Sequence, residues 1–178
     1  ALPLLAVTGL LGIGYEVLVV RVLSQVAEDT VYTFALLLAV YLVGTAAGAA
    51  AYQRWRRDAA DPAHLTRQLL RIQAVACLIG LASLWGAEGL REAVAQALGG
   101  GMAAALSAEA VLALAAFLLP TLVMGALFSH LCLQARGAGQ GFGRALGVNT
   151  AGAAAAPLLF GVLLAPWLGP RAALLLVV

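Results

Sequence analysis

The chain has 178 residues, 63% of them hydrophobic and only 10% charged, with a mean hydropathy of +1.01. Soluble domains carry about 25% charged residues, so the composition excludes an ordinary water-soluble domain and points to an integral membrane protein. The net charge of +2 decides little, because in a membrane protein the placement of basic residues carries the information.

Taken in order, the apolar stretches predict an all-α protein of about six transmembrane helices. The first covers 2–26 and is apolar except for Glu16 and Arg21. It lacks a charged n-region and is long enough to be a first span. The second, 30–52, holds no charge and exits in Gln53-Arg54-Trp55-Arg56-Arg57. The third covers 65–87. The fourth, 103–134, is long enough to be tilted, or to start in the interface. Pro120 and Gly125 lie inside it, and Pro120 is the expected kink or hinge, with Thr121 nearby to compensate the freed carbonyl. The fifth covers 144–165. The sixth, 169–178, is incomplete: about ten residues of helix reach only ~15 Å, half the roughly 30 Å hydrocarbon core. The sequence is therefore expected to end inside a span.

The arginines predict a topology. Arg54, Arg56, Arg57 and Arg67 lie between the second and third spans, and Arg136 and Arg144 flank the loop between the fourth and fifth. The opposite loops are acidic or sparse: Glu28 and Asp29, then Glu88, Arg91 and Glu92, then Arg171. The positive-inside rule makes the two basic loops and the N-terminus cytoplasmic, in a bacterial inner membrane. Trp55, Trp85 and Trp167 fall at span ends, where interface anchors belong. Gly99-Gly100-Gly101 predicts an external turn. It neither follows a strand nor opens a phosphate-cradling helix, so nothing points to nucleotide or nucleic acid.

Residues 41–52 resemble residues 146–157, with Gly44-Thr45-Ala46 set against Asn149-Thr150-Ala151. The second and fifth spans would then be equivalent members of two three-helix units. An odd number of spans per unit gives them opposite topology, a 3+3 inverted repeat as in transporter halves. Gly44 and Gly48 form a GxxxG pair, and Gly152 with Ala156 a small-xxx-small pair, both suited to close helix packing. Asn149 is expected to bridge helices through its amide.

The residue with most claim to chemistry is Glu16. A carboxylate in mid-span costs on the order of 2.5–3.5 kcal/mol unless it is paired, protonated or facing a cavity. Arg21 is about 140° around the helix, so it should snorkel to the interface or pair with Glu28 or Asp29. A partner for Glu16 is expected among Asn149, Thr150, Tyr32, Tyr41 and His130. Glu16, Tyr15, Asn149 and His130 form the candidate ligand or proton site, weighed against a carboxyl that only pins two helices. Cys77 and Cys132 sit in apolar segments without metal-ligand spacing and read as small buried side chains. Asp58 and Asp61 read as solvated loop residues. No hydrolase, metalloprotease or dithiol motif occurs, so no catalytic or metal residue is assigned.

Three stretches together resemble the membrane domain of membrane-bound spermidine synthase-like proteins, also described as fused major-facilitator/spermidine synthase proteins. They are TGLLGIGYEVLVVRVLSQV, FALLLAVYLVGTAAGAAAYQRW, and LLPTLVMGALF with GRALGVNTAGAAAAPLLFGVLLAPWLGPR. The resemblance implies half of a major-facilitator bundle, followed by a soluble aminopropyltransferase domain using decarboxylated S-adenosylmethionine. The present residues contain neither a glycine-rich cofactor loop nor an acidic substrate pocket, so that cofactor belongs only to such a further domain. What the resemblance implies here is a membrane domain that anchors an aminopropyltransferase or passes a polyamine, with Glu16 as countercharge. The alternatives are an accessory subunit of a larger membrane complex, or a small transporter half acting as a dimer. The expected partners are the bilayer and a soluble domain or other membrane subunits.

Overall fold

The computed structural model describes residues 1–25, 31–55 and 61–177, and all regular structure among them is helical. The helices are α1 (Leu2–Leu23), α2 (Val31–Trp55), α3 (Pro62–Trp85), α4 (Ala87–Ala97), α5 (Met102–Gly137), α6 (Phe142–Ala156), α7 (Ala165–Leu168) and α8 (Pro170–Val177). A π-helical stretch, Pro157–Leu164, joins α6 to α7. Five helical stretches are long and apolar enough to cross a membrane: Leu2–Leu23, Val31–Arg54, Pro62–Trp85, Met102–Gly137 and Phe142–Leu168. The sixth expected span corresponds to α8, whose 8 residues are about 12 Å long.

One part of the chain differs from expectation. Residues 88–97, expected as loop, belong to α4, which packs on α5 and carries Glu88, Arg91 and Glu92. Asp61 is exposed, as expected, and it also accepts a 2.9 Å hydrogen bond from the Ala63 amide and caps α3, satisfying one of the orphan donors of a helix start. Asp58, Glu28, Asp29, Arg56 and Arg57 lie outside the described residues. The expected glycine turn is present, with Gly99, Gly100 and Gly101 at φ 77, 80 and 87, a conformation that costs glycine little.

Helix directions follow from side-chain pairs. Thr33 meets Glu109 at one end of α2 and Tyr52 meets His130 at the other, so α2 and α5 run parallel. Gly9 lies against Asn149, Gly14 against Phe160, and Arg21 reaches Gly161, so α1 runs parallel to α6 and its π-helical continuation. Both α1 and α3 run antiparallel to α5, through Tyr15 with Ala116 and Thr66 with His130. This alternation brings Arg54, Arg67, Arg136 and Arg144 to one end of the bundle. Trp85 and Trp167 lie at the other end, and Trp167 is 87% exposed.

The two parallel pairs are held at backbone contact by glycine. A Cβ on Gly48 would run into the Leu122 carbonyl, and one on Gly125 into the Thr45 carbonyl. In the other pair a Cβ on Gly9 would strike the Asn149 carbonyl, and one on Gly152 the Ala6 carbonyl. Each crossing is therefore reciprocal, as in small-residue membrane interfaces. Buried apolar side chains fill the space towards α3 and α8: Tyr15, Leu18, Leu81, Phe117 and Leu174 in one cluster, Leu5, Leu127 and Leu131 in the other. The outward faces stay apolar, with Leu38, Val43, Leu158 and Val162 exposed, as lipid contact would require.

A branched side chain at a crossing must push two helices apart. Gly48→Val and Gly152→Val should each cost about 1–3 kcal/mol by overpacking. Gly147→Ala, where a Cβ meets nothing, should be neutral or stabilising by up to ~1 kcal/mol. Unfolding of the detergent-solubilised protein checks all three.

Candidate functional site

Between the two parallel pairs lies a cavity of about 580 Å³. Thr8, Gly12 and Ile13 of α1, Tyr41 and Thr45 of α2, Met124 and Phe128 of α5, and Asn149 and Thr150 of α6 are among its lining. Its wall is largely apolar, with hydroxyls and one amide as the polar groups. That is the usual make-up of a small-molecule site.

Glu16 stands one turn beyond Gly12 and Ile13 on the same face of α1, since residues three and four apart share a helix face. It is half-buried and lies within electrostatic range of Tyr41, which lines the cavity. It makes no hydrogen bond to any other described residue. Of the expected partners the structure brings Tyr41 to it, while Asn149 and Thr150 line the cavity. Tyr32 is exposed, and His130 belongs to another cluster. Asn149 packs through its backbone carbonyl and Oδ1 against Gly9. Its amide hydrogen-bonds to no other described residue, so the expected amide bridge is replaced by backbone contact.

Tyr15 is fully buried, and its hydroxyl donates 2.8 Å to the Ala116 carbonyl. Its ring packs edge-on against Phe117 at 6.2 Å. The acceptor explains the bond. Pro120 has no N–H, so the carbonyl four residues earlier, that of Ala116, loses its helical partner. Tyr15 supplies the missing donor, and Gly80 leaves room for it, since a Cβ there would strike both groups. Thr121 bonds the next carbonyl, of Phe117, at 2.7 Å. Pro120 is buried in a helix that continues unbroken through it.

Arg21 does something similar. Its guanidinium donates 3.0 Å to the Gly161 carbonyl. Gly161 lies in the π-helical stretch, where the Ala165 amide bonds the Phe160 carbonyl five residues back. The next such donor would be residue 166, a proline without an N–H. Arg21 thus serves the carbonyl that Pro166 leaves free while staying exposed; Glu28 and Asp29, its other expected partners, lie outside the described residues.

His130 sits in a hydrogen-bonded cluster at the arginine-rich end. Tyr52 Oη is 2.8 Å from Nδ1 and Thr66 Oγ1 is 2.9 Å from Nε2. Gln134 donates to Thr66 at 2.8 Å and to the Pro62 carbonyl at 3.1 Å. The cluster ties α2, α3 and α5 together, and both ring nitrogens meet protein groups. Glu109, buried, accepts 2.9 Å from Thr33. It was not singled out from the sequence, although the rule that selects Glu16, a carboxylate inside an apolar span, applies equally to it. Cys77 and Cys132 are buried and free. No group of three metal-ligating side chains occurs among the described residues. The chain matches no family model, no curated protein and no solved structure.

Tyr15→Phe should destabilise the bundle by roughly 0.6–1.7 kcal/mol, the span measured for polar bonds between membrane helices. Pro120→Ala restores an N–H to Ala116. In that background Tyr15→Phe should cost much less, and a double-mutant cycle on unfolding reads this coupling.

Proposed function

We propose that this is a membrane domain of the spermidine synthase-like kind, a 3+3 inverted repeat resembling half of a major-facilitator bundle, whose central cavity takes an organic cation. The repeat is supported by the two glycine crossings. Gly9 against Asn149 and Gly152 against Ala6 correspond to Gly125 against Thr45 and Gly48 against Leu122. In this register Thr45 matches Asn149 and Gly48 matches Gly152, one residue away from the Gly44–Asn149 alignment read from sequence. The helix pairs exchange under the same operation: α1 with α5, and α2 with α6. Because α1 and α5 run antiparallel, the relating axis lies in the membrane plane, as in inverted repeats.

The observation that carries the functional reading is the position of the cavity. Its lining pairs off under the repeat, Thr8 with Met124, Gly12 with Phe128, Leu42 with Leu146, and Ala49 with Ala153. The cavity therefore sits on the axis, where transporters of this construction hold their substrates. Glu16 stands one turn beyond the lining residues Gly12 and Ile13, and its ionised carboxylate favours a cation. The arginine-rich end faces the cytoplasm of a bacterial inner membrane under the positive-inside rule. Aminopropyl transfer would need a soluble domain outside these residues, with its own decarboxylated S-adenosylmethionine site.

Reconstituted into liposomes, the protein should bind or take up radiolabelled putrescine. Glu16→Gln should lower this about tenfold, the effect of ~1.4 kcal/mol of lost charge pairing. Ala153→Trp, which fills the cavity, should abolish it. Unchanged uptake in both folded variants, or none in the parent protein, would favour an accessory structural subunit instead.

A further inference from the structure

A second, smaller chamber of about 140 Å³ adjoins the main cavity. Thr8, Gly12, Met124 and Leu127 line both, so only a thin partition separates them. Met124 forms that partition: its Sδ and Cε stand 3.2 Å from where a Cβ on Gly12 would be. Glycine lets the thioether lie across the α1 backbone, and methionine has the rotatable bonds to swing aside. The inner wall of the small chamber carries Tyr15, Gln73 and Cys77.

The polar atoms around this chamber have a common feature. Tyr15 spends its proton on Ala116 O and Thr8 spends its proton on Leu5 O. The Gln73 amide nitrogen donates 3.2 Å to Cys77 Sγ. Lone pairs remain on Tyr15 Oη, Thr8 Oγ1 and Gln73 Oε1, and this last atom is buried without a partner among the described residues. A buried polar atom without a partner is rare in a folded protein and calls for an explanation. The set offers three acceptors, with the second Gln73 N–H and the weak Cys77 S–H as its remaining donors.

We infer that the small chamber is a head-group site for a primary ammonium, reached from the main cavity past Met124 and anchored on Gln73 Oε1. An alkylammonium presents several N–H donors and no acceptor, the complement of this wall. A carboxylate or phosphate would meet only the second Gln73 N–H and the weak Cys77 S–H, and no positive charge. A quaternary ammonium would carry the charge but leave Gln73 Oε1 unpaired. The volume admits a short alkylammonium and leaves a longer body in the main cavity. This rests on the reading that the main cavity takes an organic cation, and it adds where the amino end goes.

Native Cys77 reports on the chamber directly. In Cys132→Ser protein in nanodiscs, the rate of Cys77 modification by methyl methanethiosulfonate is measured at fixed pH and ionic strength. Ethylammonium chloride at about ten times its dissociation constant should slow modification about tenfold, and tetramethylammonium chloride should not. Gln73→Leu should abolish the protection by ethylammonium, whereas Gln73→Glu should strengthen it. Met124→Ala should speed modification in the absence of any amine. No protection, equal protection by tetramethylammonium, or protection that survives Gln73→Leu would each overturn the proposal. Failure of the broader reading looks different: putrescine uptake indifferent to Glu16→Gln and Ala153→Trp while ethylammonium still protects Cys77.

Discussion

A backbone carbonyl that loses its helical partner in an apolar medium must find another donor, and that constraint organises this bundle. Unsatisfied peptide groups are costly where no water can reach. The chain nevertheless places prolines inside its long helices. Pro120 frees the Ala116 carbonyl, and Pro166 frees that of Gly161 in the π-helical register. In both cases the donor comes from α1, as the Tyr15 hydroxyl and the Arg21 guanidinium. One helix thus holds two others at their irregular points, from positions less than two turns apart. The same helix carries Glu16 between those two residues. Glu16 is therefore mounted on a helix that is tied to two others at their irregular points.

The glycine crossings are the second half of the same logic. Without a hydrophobic force between helices in lipid, association depends on close packing. Gly9 and Gly152 let α1 and α6 touch backbone to backbone, and Gly48 and Gly125 do so for α2 and α5. Asn149 falls at such a contact, so its side chain is free to line the cavity instead of bridging helices.

Much of this architecture was legible in the sequence, for definite reasons. Hydropathy located the long helices because each holds a long, predominantly apolar run. It missed α4, which is short and alternates charged with small residues, so that only burial against α5 distinguishes it from a loop. The similarity of residues 41–52 to 146–157 was visible in alanine and glycine, but alanine-rich runs align almost equally well in neighbouring registers. For the proposed repeat, the backbone contacts at Gly48 and Gly152 favour the register that pairs those two residues. Tyr15 read as a candidate ligand contact because its partner is a main-chain carbonyl, which no sequence motif records. The clue was Pro120, whose freed acceptor lies at a fixed spacing. The His130 cluster depends on Thr66 and Gln134, ordinary polar residues that only the approach of α3 to α5 brings together. Glu16 was legible as a mid-span carboxylate, and its closeness to Tyr41 is a property of the crossing angle between helices.

The cavity follows from how the pairs are joined. Within each parallel pair the helices touch over much of their length, while α2 makes little direct contact with α1 or α6. The pairs are linked mainly through α1 on α5, at Tyr15 with Ala116 and at Gly12 with Met124. Space therefore opens at the seam, because each glycine crossing fixes its own pair closely and leaves the distance between pairs to bulkier side chains. Tyr41, Phe128 and Leu146 stand around that seam and leave the middle unfilled. A cavity in this position is a consequence of the connectivity and of no single large-to-small substitution. It persists as long as the two pairs remain intact, and its size is set by the α1–α5 contact. Met124 lies at that contact, so the residue that spaces the two pairs is also the partition between the two chambers.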